Sequence, residues 1–144
     1  MTEQATERTT IDAPPEKVYE VLLDLGSYCE WARDIKEVTI LETDGDGRPS
    51  LVRFRAAAMG HSARYALRYD HSDAPRTLAW RLEQGDIVRK LDGQYVLEPT
   101  GSGGTEVTYH LEVELAVPLP GFIKRRAESK IMTTALDELK RRCE

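Results

Sequence analysis

The sequence predicts an α+β fold in a single domain over residues 1–144: a seven-stranded antiparallel sheet against a long C-terminal helix, with two short helices after the first strand. Three observations predict it. Residues 14–26, "PPEKVYEVLLDLG", have helical periodicity. From Ile35 the apolar residues alternate through six extended segments separated by tight-turn chemistry. The last 24 residues return to helical spacing over one apolar stripe.

Each element follows from local chemistry. A polar start leads into a first strand over "TERTTIDA", and the first helix opens on proline and closes at Gly26, with Asp12 as its expected cap. Val18, Leu22 and Leu25 face inward at helical spacing, while Glu16, Lys17, Glu20 and Asp24 take the wet side. "SYCEWARDIKEV" follows as a short second helix or turn whose two large aromatics, Tyr28 and Trp31, need an apolar space to face. The breaks "TDGDGR", "AMGHS", "HSDAPR", "QGD" and "PTGSGGT" then define a meander. Val52 and Phe54 oppose Arg53 and Arg55; Tyr65, Leu67 and Tyr69 oppose Arg64 and Arg68; Leu78 and Trp80 oppose Arg81 and Glu83. The final strand sets Val107, Tyr109, Leu111 and Val113 against Thr108, His110, Glu112 and Glu114. After Pro118 and Pro120 a helix of about 20 residues, roughly 30 Å long, carries Ile131, Met132, Ala135, Leu136, Leu139 and Cys143 on one side. Lys130, Thr134, Asp137 and Arg141 form the other. The inner face of the meander is large enough to receive that stripe, so the helix must lie across the sheet.

Composition excludes several function classes. A net charge of −5, from 20 basic and 25 acidic residues, argues against a nucleic-acid binder, which presents a basic face. Two cysteines, Cys29 and Cys143, are too few for a disulfide framework and show no redox or metal pattern, which fits a reducing cytoplasm. The opening "MTEQATERTT" has no apolar core or cleavage site, and no apolar run approaches a bilayer span. The three histidines do not converge, because His110 has outward parity and His61 and His71 sit in turns, so no metal site or catalytic triad is expected. "GSGGT" lacks the lysine and following helix of a phosphate loop and reads as a hairpin turn; nothing in the sequence calls for a cofactor.

The element order, together with "I-x-A-P" before the first helix, "Y-x-x-W" after it and "G-G-T-E-V" before the last strand, resembles the START-like (SRPBCC) helix-grip superfamily, which includes Bet v 1-like ligand binders, lipid-transfer domains and polyketide cyclases and dehydratases. That resemblance implies a strongly curved sheet gripping the C-terminal helix and a deep apolar cavity opening near the short helix. It also implies departures from the aromatase/cyclase members. Those carry an inward arginine where this chain has Tyr69, a tyrosine where it has Ile35, and a tryptophan where it has Tyr65.

The inward residues offer an aromatic and phenolic interior rather than an acid–base pair, since almost no in-phase strand position is a carboxylate. Phe54, Tyr65, Tyr69 and Trp80, with Tyr95, Tyr109 and Met59 near a strand end, are the candidate ligand-binding residues on the sheet. Met132 is their candidate on the helix stripe, and Trp31 on the mouth, packed and partly facing the cavity. Several buried tyrosines require internal water, polar neighbours or a ligand for their hydroxyls; the alternative is a core that satisfies them internally. Parity places Arg89 inward between Ile87 and Leu91, where a ligand carboxylate, enol or phenol oxygen would pair with it, whereas a bulge near "QGD" would turn it outward. The expected partner is a small hydrophobic molecule such as a lipid, isoprenoid or polyketide-like aromatic, bound by a monomer or homodimer. The alternative is a cyclase or dehydratase-type enzyme using the same cavity. "KRR" at both ends of the last helix is either a solvated face or a surface for transient contact with anionic membranes.

Overall fold

A computed structural model describes residues 3–58, 61–116 and 120–144. Strand β1 (Glu3–Ile11) leads into α1 (Pro15–Leu23) and a short 3-10 helix (Leu25–Glu30). Then come β2 (Ile35–Thr43), β3 (Pro49–Ala58), β4 (His61–Asp70), β5 (Thr77–Gly85), β6 (Val88–Pro99), β7 (Thr105–Leu115) and α2 (Gly121–Cys143). All seven strands form one antiparallel sheet in the order β1-β7-β6-β5-β4-β3-β2. Each strand of the meander pairs with the next, and β1 returns to the far edge to pair with β7. This is the helix-grip architecture, with α2 held by the sheet.

The turn chemistry works as its residues require. In the β2–β3 turn the Asp44 carboxylate accepts the backbone N–H groups of Asp46 and Arg48, both at 2.9 Å, and Gly47 supplies φ 80°. Between β6 and β7, Gly103 at φ 88° and the Thr100 hydroxyl, which accepts Gly104 N–H at 3.0 Å, close the loop. Helix α1 begins at Pro15 in the first-turn position where a missing N–H costs nothing. Its N-cap is Pro14, with no side-chain cap, so Asp12 does not have the expected role. The Asp12 backbone N–H instead donates to Glu144 at the end of α2, at 2.8 Å. The helix stops at Leu23, before Gly26 is reached, because the chain tightens there into the 3-10 helix.

Packing divides the interior. Ile11, Val18, Leu22, Leu25, Val107 and Leu139 are wholly sealed, and α2 packs here against β1 and α1. The stripe Met132, Leu136, Leu139 and Cys143 is the face of α2 that does so. Lys140 donates to the Thr10 carbonyl at 2.7 Å and pairs with Glu144 at 2.8 Å, pinning the helix end to β1. Arg142 pairs with Glu30 at 3.0 Å. These contacts engage two of the three basic residues in the C-terminal cluster within the protein. Among the described residues no helix is long and apolar enough to cross a membrane.

Candidate functional site

Toward β3, β4 and β5 the aliphatic packing gives way to aromatic rings. Strand parity brings Phe54, Tyr65, Tyr69, Trp80, Tyr95 and Tyr109 to the concave face, and all six line one pocket between the sheet and α2. The pocket holds about 160 Å³. The 3-10 helix and the segment after it supply Tyr28 and Trp31 at its mouth, with ring centroids 4.9 Å apart. Two ring clusters result. Tyr28, Trp31, Phe54 and Tyr65 form the outer one, with Phe54 stacked on Tyr65 at 5.5 Å. Tyr69, Trp80, Tyr95 and Tyr109 form the inner one, with Tyr95 and Tyr109 4.4 Å apart.

The hydroxyls separate residues that finish the core from residues that face the space. Tyr28 donates to the Leu22 carbonyl and so ties the 3-10 helix to α1. The phenols of Tyr95 and Tyr109 act on one another, with their rings in contact. Those of Tyr65 and Tyr69 have no hydrogen-bond partner among the described residues. Burial raises the pKa of all four of these inward sheet phenols above the usual 10.0, and mutual repulsion of neighbouring phenolates raises that of Tyr69, Tyr95 and Tyr109 further. For Tyr65 the second cause is the nearby Asp34 carboxylate. At neutral pH these groups are hydrogen-bond donors and not bases.

Two of the expected site residues, Arg89 and Met132, are not on the pocket wall. Arg89 is exposed: a register shift between Val88 and Lys90 against β7 inserts an extra residue, so Val88 takes the inward position and Arg89 swings to solvent. Of the two readings of Arg89, the structure shows the bulge that turns it outward, and the inward basic anchor is corrected. Met132 is fully buried, but in the aliphatic stripe against β1 and α1, and it does not line the pocket. Met59 lies outside the described residues.

In their place, α2 turns a second face to the pocket, made of Ile131, Thr134, Ala135 and Glu138. Thr134, expected on the wet side, belongs to this face and is half-buried. Glu138 is 9% exposed, and one of its oxygens accepts the Arg33 backbone N–H at 2.9 Å. The signal was present in the sequence: Glu138 follows Ile131 and Ala135 at helical spacing, in phase with the apolar stripe. Asp34, the other acidic wall residue, is next in the chain after Arg33 and is brought to the pocket by the same contact.

A sequence profile of the family described as "Polyketide cyclase / dehydrase and lipid transport" matches residues 2–144. The chain belongs to that family. Among solved structures, a START superfamily protein from Mycobacterium smegmatis is 24% identical over 97% of this chain and 96% of its own, with a TM-score of 0.91. The protein TTHA0849 from Thermus thermophilus is 26% identical over 98% and 97%, with a TM-score of 0.82. The Zhui aromatase/cyclase from Streptomyces sp. R1128 is 20% identical over 99% and 94%, with a TM-score of 0.83. These likenesses establish the START-like, Bet v 1-like helix-grip fold. Among curated proteins no match is found.

Proposed function

We propose that the protein binds one small hydrophobic molecule carrying hydrogen-bonding oxygen or nitrogen, in the pocket between the curved sheet and α2. The observation that carries this reading is the pairing of a void with unspent polarity. A wall of rings surrounds about 160 Å³, and Tyr65 and Tyr69, which both line it, have hydroxyls without a protein partner among the described residues. A core built only for stability would close such a space, since interiors reach crystal-like density and buried hydroxyls are paired. A pocket with apolar walls and a few convergent polar groups is the common form of a ligand site.

The volume lies below the range of about 300–1,000 Å³ that drug-sized ligands occupy, so a ligand bound without rearrangement has one or two rings or a short chain. Removing about 300 Å² of apolar surface from water would contribute roughly 7 kcal/mol before association costs, with the phenols fixing orientation. Family membership and the likeness to an aromatase/cyclase fold support a pocket of this kind. They support a cyclization chemistry less well, because the inward phenols stay protonated and the described wall carries no histidine or arginine.

Both tryptophans of the chain, Trp31 and Trp80, line the pocket, so intrinsic fluorescence reports on it directly. Titration with a panel of medium-chain lipids and bicyclic aromatics is expected to give saturable changes at one equivalent, and native mass spectrometry of gently purified protein a bound small molecule. No fluorescence change and no added mass across the panel would overturn the reading. An enzyme would announce itself differently, through Tyr65→Phe and Tyr69→Phe variants that lose turnover far more than affinity.

A further inference from the structure

The loss of Arg89 from the pocket has a chemical consequence, because no Lys, Arg or His remains among the described wall residues while two carboxylates do. Asp34 and Glu138 stand on the wall beside the outer ring cluster, Asp34 close enough to add to the effect of burial on the Tyr65 phenol. Glu138 is 9% exposed and forms no salt bridge among the described residues; its one hydrogen bond, from Arg33 N–H to Oε2, leaves Oε1 without a partner there. A buried carboxylate costs free energy unless a cation or several donors accompany it. Glu138 Oε1 is not among the fully sealed oxygens, and Glu138 lines the pocket, so a cation held there can reach it.

We infer that the ligand's polar end is a cationic amine, seated between the Glu138 and Asp34 carboxylates and the faces of Trp31, Tyr28 and Tyr65, with its apolar body in the inner ring cluster. Two independent features converge on that class. The carboxylates supply counter-charge, and electron-rich faces of a tryptophan and two tyrosines attract a cation placed over them. A carboxylate or phosphate headgroup would meet like charge and no cation on the described wall. The pocket therefore selects against fatty acids and polyketide acids and for amines. This inference rests on the reading of the pocket as a ligand site.

The test uses three probes with one ring system and different heads: 2-(naphthalen-2-yl)ethylamine, the matching naphthylethanol and 2-naphthylacetate, each titrated calorimetrically into the full chain. The amine is expected to bind about tenfold more tightly than the alcohol and the acetate most weakly. Glu138→Gln keeps an acceptor for Arg33 N–H and is expected to weaken the amine about tenfold while changing the alcohol by less than about twofold. Asp34→Asn, whose side chain holds no structural hydrogen bond among the described residues, should act in the same direction and keeps the test open if the Glu138 variant folds poorly. If the acetate equals or exceeds the amine, or both variants leave the amine's advantage intact, the amine inference fails while binding of the alcohol keeps the pocket reading. If none of the three binds, both fall.

Discussion

The two ends of the interior use the same strands and the same helix for opposite purposes. Near β1, α1 and the C-terminal turns of α2, the side chains are Ile11, Val18, Leu22, Val107, Met132 and Leu139, each 0% exposed and free of polar atoms apart from sulfur. Near β3, β4 and β5 they are rings with polar tips, and the helix face above them is Ile131, Thr134, Ala135 and Glu138. Branched aliphatic chains interdigitate until no space remains. Rigid rings whose hydroxyls want partners cannot collapse on one another without stranding those hydroxyls, so space persists between them. The aliphatic end fixes the helix, and the aromatic end is left to hold something else.

The largest contrast between the two ends appears at alkaline pH. The folded-state pKa values of Tyr65, Tyr69, Tyr95 and Tyr109 lie above the ordinary 10.0, so the folded chain keeps protons that the unfolded chain releases. Their contribution is therefore fully present below pH about 10 and is lost as pH rises above it, by about 1.4 kcal/mol per pH unit for each phenol that ionises only on unfolding. Denaturant midpoints measured from pH 7 to 12 should be flat from these groups until about 10 and then fall steeply, with Tyr109→Phe reducing the slope by one phenol's share. A slope unchanged by that substitution would mean the ring cluster is wet.

Next in size is a pair of truncations. Leu139→Ala at the aliphatic end should cost about 3 kcal/mol in chemical denaturation, because a sealed site leaves a new cavity. Leu67→Ala, on the wall of an existing space, should cost visibly less, about 2 kcal/mol, since part of its surroundings is already empty. Equal costs would break the comparison between the ends.

How much of this division could be read in the sequence depends on which physical rule each part obeys. Alternation assigned Phe54, Tyr65, Tyr69, Trp80, Tyr95 and Tyr109 to one face, and all six reach it, because a strand's side-chain period is fixed by its backbone. Simple alternation failed at Arg89, where one inserted residue between Val88 and Lys90 reverses the parity; "QGD" made a bulge one of two readings, and the register against β7 decides between them. Helical spacing found Ile131 and Ala135 along with the Met132–Leu136–Leu139–Cys143 stripe but not their pocket neighbours Thr134 and Glu138, because polar side chains at the edge of a stripe are assigned inward only once the wall beside them is known. Strand β1 begins at Glu3, earlier than the stretch "TERTTIDA", since its polar start is held by backbone pairing with β7 and not by side-chain pattern. Whether a helix fills or merely covers the face beneath it is a question of volume, and periodicity carries none.

Smaller effects sharpen the boundary between the ends. Trp31→Ala at the mouth should weaken binding of a bicyclic probe about tenfold while lowering stability by only about 1 kcal/mol, since the ring is partly exposed and borders the open space. Arg89→Ala should change neither, with stability within about 0.5 kcal/mol and affinity within about twofold, as expected of a solvent-facing side chain. A large loss of affinity there would restore the inward anchor and undo the bulge.

The most direct measurement is a methyl-resolved NMR titration with 2-(naphthalen-2-yl)ethanol, because leucines occupy both ends of the interior. Saturable shifts at one equivalent are predicted for Leu67, Leu91 and Leu111, which line the pocket, with Leu22, Leu97 and Leu139 unmoved. Shifts that fail to saturate, or that move the aliphatic end as much as the aromatic one, would contradict a preformed space bounded by rings.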